Sequence, residues 1–465
     1  MPEPPQDPFV DPATGRPWTA SRRVGRALAK RLPRTARTWH RAGARARHYA
    51  GRIRGRAGRL GATAGWIRDV AAQVAARRRR TGLTVAVDAT PLWDPLTGVG
   101  WYLYRVLREL ADEPGLAIRL YGPVLHGGPD VPEPVVALPA GRAVERVVLD
   151  VPHDLLVSPG RLMTWIRGIS PILIALDGNR VLFAPNFLLP RRFLLARGRR
   201  VATVHDLGLH RVPETLQEET RRALGRHLKR STHRARRLIS VSGAVRDELV
   251  ELGYAPAAKI DVIHHGPGQL AGVASSRLPS GVSPPFALHV GTLEPRKNIL
   301  FLLAVWDRLH EMGGEVPRLV LCGKYGWKTE ELARAVAAAT ARGRVLHLGY
   351  VAEGELAALY RAATLVVFPT RYEGFGLPAV EAQLAGAPLV ASDLPVLREV
   401  AGDGAVYAPP DDAAGFAAAV AALLADPAAR AELVRRGRRN VEALSWRRTA
   451  ELTAATWRRA AGRGS

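Results

Sequence analysis

Two acidic residues, Glu373 and Glu381, have seven residues between them in a segment that passes from an apolar run into a glycine-containing loop. The apolar run ends near Phe368, and Pro378 suits the first turn of a helix. The pattern therefore predicts a strand, a loop and a helix, with Glu373 in the loop and Glu381 about one turn into the helix.

This loop is predicted to bind phosphate. Its N–H groups and those of the helix start are expected to face outward, where the positive end of the helix dipole favours an anion. Carboxylates on either side of the anion suit the hydroxyl groups of a sugar and of a ribose. The alternative is a helix whose first turn carries a favourable glutamate. The residues predicted to bind the donor, a sugar linked to a nucleotide diphosphate, are here Gly374, Phe375, Gly376, Leu377 and Glu381, beside Glu373.

A second segment, Val290–Asn298, follows another apolar run and contains two consecutive cations, Arg296 and Lys297. Gly291 permits a tight turn before them. Cations at this position neutralise the charge that develops on a departing nucleotide diphosphate, which is electrostatic catalysis. The alternative is a solvated turn before a helix.

The first half of the chain offers a weaker phosphate loop and one histidine. Gly98 and Gly100 precede a helical pattern and allow a ligand to approach its N-terminus. The spacing is not Gly-x-Gly-x-x-Gly, which argues against a nicotinamide cofactor. His205 ends an apolar run and is expected to project into a cleft, with a purely structural histidine as the alternative. Asp206 is expected to fix the geometry of the following loop.

Two series of alternating strands and helices must position these residues. Such alternation predicts parallel sheets with right-handed crossovers, and therefore two doubly wound α/β domains facing a cleft. Ligands in these sheets lie beyond the carboxyl ends of the strands. The predicted strands are Leu83–Val87, Arg200–Val204, Arg237–Val241, Phe286–Val290, Arg318–Leu321, Val345–Leu348, Leu365–Phe368, Pro388–Ala391 and Ala405–Tyr407, with a helical stretch near 213–236. The predicted regions are a basic extension at 1–82, domains at 83–270 and 286–440, a linker at 271–285 and a closing helix at 441–465.

From about residue 84 onward the chain resembles the retaining glycosyltransferases of family 4, which have the GT-B fold. The resemblance rests on Glu-x7-Glu, on Glu-Gly-Phe-Gly-Leu-Pro within it, and on the Gly-x-x-x-Pro-Arg-Lys segment. It implies that Glu373 contacts the donor sugar, Glu381 the ribose and Lys297 the diphosphate, with His205 near the reacting carbon. Thr292 stands where many members have an arginine, and Arg296 is expected to supply that charge.

The resemblance implies transfer of a hexose from a nucleotide diphosphate sugar, with retention of configuration, to a saccharide or lipid-linked saccharide. The form Glu-Pro-Arg-Lys-Asn favours GDP-mannose as the donor. No other cofactor and no metal are expected, because the chain has no Asp-x-Asp and His264–His265 lacks partner ligands at metal spacing. One alternative is a nucleotide-sugar epimerase of the same architecture. The other is a basic nucleic-acid-binding protein, although no specific nucleic-acid module is present.

The net charge of +25 is unevenly distributed along the chain. Residues 1–82 hold 20 Lys and Arg against four Asp and Glu. Residues 21–80 mix these cations with spaced apolar side chains, which suits an anionic lipid surface, and a soluble or non-specifically nucleic-acid-binding tail is the alternative. The single cysteine, Cys322, excludes an internal disulfide, and the longest apolar run, Ala413–Ala425, falls short of a membrane span. With no secretory signal at the start, we expect a cytoplasmic protein that contacts the inner face of the plasma membrane.

Overall fold

The structure is a computed structural model that describes residues 68–79, 81–92, 98–121, 143–146, 174, 176–268, 270 and 272–462. Residues 1–67, which contain most of the predicted lipid-contact segment 21–80, lie outside the described residues, as does Thr97. The chain divides into two compact units, 1–72 with 151–159, and 73–150 with 160–465. Of the first unit the structure describes residues 68–72, which are helical.

The N-terminal domain is built on a parallel seven-stranded sheet with the order β3-β2-β1-β4-β5-β6-β7. Its central strands are runs of apolar residues buried on both faces, as parallel sheets require. The strand order reverses between β1 and β4, which makes their carboxyl ends the switch point. The strands are β1 Leu83–Asp88, β2 Leu116–Tyr121, β3 Val144–Arg146, β4 Val181–Ala184, β5 Arg199–Val204, β6 Arg237–Ser240 and β7 Ile260–Val262. The helices are α1 Gly98–Glu109, α2 Arg191–Leu195, α3 Gly208–Arg211, α4 Glu218–Arg234 and α5 Gly243–Glu251.

The C-terminal domain repeats this plan with a parallel six-stranded sheet ordered β10-β9-β8-β11-β12-β13. Here the switch point lies between β8 and β11, so the loops that follow these two strands are neighbours. The strands are β8 Phe286–Val290, β9 Arg318–Cys322, β10 Val345–Gly349, β11 Leu365–Phe368, β12 Leu389–Ser392 and β13 Val406–Ala408. The helices are α6 Ile299–Met312, α7 Glu330–Ala341, α8 Glu353–Ala362, α9 Leu377–Ala385, α10 Pro395–Ala401, α11 Ala413–Ala425 and α12 Pro427–Glu442.

The two sheets confirm the predicted pair of Rossmann-like domains. Every strand named from the sequence exists, with ends displaced by one residue at most. The helical stretch near 213–236 is in fact a short 3-10 turn, Pro213–Thr215, followed by α4. Strands β2, β3, β4 and β7 were not singled out from the sequence.

The last helix, α13 Trp446–Ala461, packs into the core of the N-terminal domain. Trp457 is fully buried there, with its ring 5.1 Å from that of Phe183 in β4. Trp446 lies against Gly266, and its indole Nε1 donates a hydrogen bond to the carbonyl of Gly268 at 3.1 Å. The helix therefore ties the end of the chain to the first domain and to the segment that leaves it.

Among the described residues, none of the helices combines the length and the apolar character that crossing a bilayer requires.

Candidate active site

The switch point of the C-terminal domain brings the two predicted motifs into direct contact. Gly291 follows β8 with a φ of +147°, a backbone conformation that a side chain would strain. The chain then forms a 3-10 turn, Pro295–Lys297, whose last residue is buried. Lys297 Nζ donates a hydrogen bond to Glu373 Oε1 at 2.6 Å, across 76 residues of sequence. This buried ion pair joins the loop after β8 to the loop after β11.

Two further neighbours hold the carboxylate of Glu373. The guanidinium of Arg296 lies 3.1 Å from Glu373 Oε1, and the hydroxyl of Thr370 donates to the same oxygen at 3.0 Å. Burial raises the pKa of Glu373, but the charges of Arg296 and Lys297 outweigh it and lower the pKa to about 2. Glu373 is therefore ionised at neutral pH although it is buried.

The two cations differ in how they are held. Arg296 also pairs with Glu294 at 2.8 Å and donates to the carbonyl of Tyr372 at 3.1 Å. Burial opposes its charge, yet Glu373 and Glu294 raise its pKa. Burial lowers the pKa of Lys297 even though Glu373 acts in the opposite direction. Arg296 is thus held in place by Glu294, Glu373 and the carbonyl of Tyr372, whereas Lys297 depends on a single carboxylate contact.

The predicted phosphate loop lies at the junction of the two domains rather than on an open surface. Gly374, Phe375 and Gly376 are all buried. A Cβ on Gly374 would stand 1.7 Å from the carbonyl oxygen of His205, because the loop packs directly against the N-terminal domain. Ser242 Oγ donates to the Gly374 carbonyl at 2.8 Å, and the same hydroxyl accepts a bond from the backbone of α5. Ser242 therefore both caps α5 and contacts the other domain.

The start of α9 is shaped by a second glycine of this loop. Gly376 is the N-cap residue with a φ of +92°, and a Cβ there would lie 2.6 Å from Leu397. Leu377 begins the helix and Pro378 follows it, as the sequence predicts. Phe375 packs edge-on against the ring of His265 at 4.8 Å.

His205 stands at the carboxyl end of β5, within a cluster of aromatic rings. Its Nε2 donates to the carbonyl of Pro185 at 2.7 Å, so this nitrogen carries the proton. Its ring lies 5.2 Å from Tyr102 and 5.8 Å from His265. Burial lowers the pKa of His205, which keeps the imidazole neutral. Asp206 accepts a bond from the backbone of Gly208 at 3.0 Å, as expected of a residue that fixes the loop.

Glu381 lies in the first turns of α9 and is buried. Its Oε2 accepts a hydrogen bond from Tyr360 Oη at 3.1 Å. Gly268 of the segment leaving the first domain packs so closely that a Cβ would stand 2.4 Å from Glu381 Cγ. The side chain of Glu381 thus faces the junction between the domains.

The remaining predicted residues do not share the ion pairs of the site. Thr292 packs against Gly326, where a Cβ would approach its methyl group to 3.0 Å. Gly98 and Gly100 form the start of α1, the first exposed and the second buried. The structure therefore groups Arg296, Lys297 and Glu373, and leaves Gly98 and Gly100 in the other domain.

Several contacts between the domains were missed by the sequence reasoning. Tyr372 Oη donates to Glu248 Oε2 at 2.7 Å and accepts from the backbone of Leu207 at 2.7 Å. Glu399 of α10 accepts bonds from the first backbone amides of α5 and from His264 Nε2 at 2.6 Å. The only indication of the Tyr372 contact in the sequence was the presence of a tyrosine beside the loop. Nothing in the sequence indicated the contacts of Glu399.

A cavity of about 240 Å³ lies between the domains beside Glu373. Tyr372, Arg371 and Arg211 line it, together with residues of α5 and α10. A larger cavity of about 670 Å³ lies between α5, β7 and α13 and contains none of the predicted site residues. We assign the site to the smaller cavity, because the perturbed carboxylate of Glu373 lines it, and Arg296 and Lys297 contact that carboxylate.

The described residues contain no group of three or more histidine, cysteine, aspartate or glutamate side chains arranged to hold a metal ion. Arg296 and Lys297, with the carboxylates of Glu294 and Glu373, form the buried ion-pair cluster of the site.

Comparison with known proteins shows the family to which the chain belongs. The model of the glycosyl transferases group 1 matches residues 275–440, and that of Glycosyltransferase Family 4 matches residues 96–266. The chain is 30% identical over 381 residues to the O-antigen chain mannosyltransferase B of Escherichia coli, covering 77% of this chain and 94% of that protein. It is 28% identical over 253 residues to the O-antigen chain mannosyltransferase RfbU of Salmonella typhimurium, covering 54% and 66%.

A solved structure shows the same fold. The Anabaena protein HepE, in complex with UDP and glucose, superposes with a TM-score of 0.58 at 18% identity, covering 81% of this chain and 99% of that one. The two Rossmann-like domains have the GT-B fold, and the matching family models and relatives define the class of protein as a glycosyltransferase. The chain belongs to the group 1 and family 4 glycosyltransferases, and within them it is mannosyltransferase-like.

Proposed function

We propose that this glycosyltransferase moves a mannosyl residue from a nucleotide diphosphate sugar, GDP-mannose, to a saccharide or lipid-linked saccharide, with retention of configuration. The O-antigen mannosyltransferases that it resembles support the sugar. The relative solved with UDP and glucose supports a nucleotide-linked donor. The observation that carries the proposal is the buried Lys297–Glu373 pair at the switch point of the C-terminal domain.

In the proposed reaction the bond between the anomeric carbon and the diphosphate breaks as the acceptor oxygen forms its bond on the same face. Lys297 and Arg296 stabilise the negative charge of the departing diphosphate. A phosphate oxygen of the leaving group takes the proton of the acceptor hydroxyl. Glu373 and the neutral His205 orient the sugar, and Glu381 binds the ribose.

The direct test combines donor binding with product analysis. Thermal-shift measurements with GDP, UDP, ADP and dTDP should show the largest stabilisation with GDP, because a ligand that binds only the folded state raises its stability. Incubation with GDP-mannose and a saccharide acceptor should give an α-linked product, which the one-bond coupling between the anomeric carbon and its proton reports in NMR. A β-linked product would overturn retention. A converted donor sugar in the absence of acceptor would instead identify an epimerase.

We also propose that residues 21–80 hold the enzyme on the anionic inner face of the plasma membrane, beside a lipid-linked acceptor. Val74 and Arg77 are buried against the folded body, and Arg77 donates to Asp177 at 2.8 Å. A deletion that tests the extension must therefore end at residue 67. Removal of residues 1–67 should weaken sedimentation with anionic vesicles and leave GDP binding unchanged. Unchanged sedimentation would show that the extension does not contact lipid.

A further inference from the structure

A row of cations follows the amino-terminal edge of the N-terminal sheet, on the side away from the candidate active site. Four neighbouring strands, β4 to β7, are each preceded or begun by a basic residue. The strands are in register here, since Arg199 N donates to the Arg180 carbonyl at 2.8 Å and Arg236 N to the Arg200 carbonyl at 2.6 Å. Neighbouring strands lie about 4.8 Å apart. We name this surface the basic edge; it comprises Arg197, Arg199, Arg234, Arg236 and Lys259.

The charge of the basic edge is poorly compensated. Arg197, Arg199, Arg234 and Arg236 are exposed, and no ion pair between described residues includes any of them. Lys259 Nζ donates to backbone carbonyls of α4, at 2.7 Å and 3.0 Å, rather than to a carboxylate. By contrast, Arg221 and Arg222 at the opposite end of α4 are both paired with Glu218.

The cations of this edge also repel one another. Burial and then the charge of Arg236 lower the pKa of Lys259. Burial and then the charge of Arg234 lower the pKa of Arg200, which ties α2 to β5. Like charges held together in this way cost stability, and an anionic partner would relieve that cost.

Two exposed leucines flank the cations. Leu195 is the last residue of α2, in the segment that leads into β5, and it is 75% exposed. Leu176 precedes β4 and is 44% exposed. Both therefore lie in segments that lead into the amino ends of adjacent strands.

We propose that the basic edge is a docking surface for an anionic lipid membrane. Its cations would contact phosphate headgroups while Leu195 and Leu176 enter the boundary of the acyl chains. A nucleic acid is the less suitable partner, since exposed leucines offer bases no stacking surface. This surface belongs to the folded domain, and none of its residues falls within 1–67.

The position of the basic edge also sets a minimum length for a lipid-linked acceptor. This consequence rests on the proposed function. Strand β5 runs from Arg199 at the basic edge towards His205 at the site, and a strand of six residues spans roughly 20 Å. The reacting end of a lipid-linked acceptor must therefore stand at least that far from the bilayer. A saccharide chain that already carries several sugars meets this requirement, whereas a lipid with a single sugar does not.

The test uses the full-length chain and the triple variant Arg197→Gln, Arg199→Gln and Arg236→Gln. The matched control removes the same charge from exposed, separate positions of the C-terminal half: Arg277→Gln, Arg334→Gln and Arg439→Gln. Each cation near an anionic surface contributes about 1 kcal/mol, or roughly fivefold in partitioning. We expect sedimentation with vesicles of phosphatidylcholine and phosphatidylglycerol to fall by roughly 100-fold in the triple variant, and by far less in the control.

Two further readouts separate this proposal from its competitors. Leu195→Ser should weaken vesicle binding at high salt as well as low salt, and should leave binding to single-stranded RNA unchanged. Equal losses in the triple variant and its control would show that only net charge matters, and would overturn the proposal. Loss of RNA binding with unchanged vesicle binding would overturn it in favour of a nucleic acid. Transfer to a soluble acceptor should be the same in all variants, so its absence in the wild type would refute the proposed function alone.

Discussion

Removal of the negative charge of Glu373 tests the centre of the site most directly. In Glu373→Gln the side chain keeps its shape, while Lys297 loses the carboxylate that lies 2.6 Å away. Burial raises the pKa of Glu373, but Arg296 and Lys297 lower it from an ordinary 4.5 to about 2. A shift of that size corresponds to about 3 kcal/mol of stability, which agrees with the about 3–5 kcal/mol lost when one partner of a buried pair is removed.

The sign of the pH dependence follows from the same shift. A carboxyl group whose pKa is lowered by folding contributes stability that is complete above its unfolded pKa, near pH 4.5, and is lost as the pH falls to about 2. Wild-type protein should therefore lose about 3 kcal/mol over this window through Glu373 alone, and Glu373→Gln should lack that component. Urea unfolding at a series of pH values measures both. Glu218→Gln, which changes an exposed helix pair, is the matched control and should leave stability almost unchanged.

Substitution of Glu373 and substitution of Lys297 should have different effects on the affinity for GDP. An entering diphosphate must compete with Glu373 for Lys297, so Glu373→Gln should bind GDP at least as tightly as the wild type. Lys297→Met should bind GDP more weakly, because it removes the cation. Transfer should fall by about 100-fold or more in both variants. Weaker GDP binding in Glu373→Gln than in Lys297→Met, or wild-type stability of Glu373→Gln at neutral pH, would refute this reasoning.

Three other changes test separate parts of the site. Transfer should persist in excess EDTA, because Arg296 and Lys297 neutralise the diphosphate; strict dependence on magnesium or manganese would contradict this. Glu381→Gln should mainly weaken donor binding, seen as a higher KM with a nearly unchanged kcat. Gly374→Ala should force the domains apart, because its Cβ would lie 1.7 Å from the His205 carbonyl, and small-angle scattering should show a larger radius of gyration without loss of helical content. An unchanged radius would mean that the loop itself moves instead.

The sequence predicted the two-domain fold of the molecule and the edge of the sheet at which each motif lies. Alternating apolar runs and helical stretches indicated two parallel sheets, because a parallel connection needs a crossover helix. Glycine and proline placed the turn at Gly291 and the start of α9, since few other residues adopt those backbone angles at low cost. Both motifs follow strands, so both had to lie at the carboxyl edge of their sheet.

Sheet order and domain packing decided what the sequence left open. Lys297 reaches Glu373 because β8 and β11 are neighbours at the switch point, although 76 residues separate the two side chains. The loop at Gly374 is buried because it meets the backbone of His205, which belongs to the other domain. Local patterns report which face of an element is apolar, but they carry no information on which distant surface will cover it. Burial then set the protonation states, since desolvation and the nearby charges act on Glu373 only after the two loops have met.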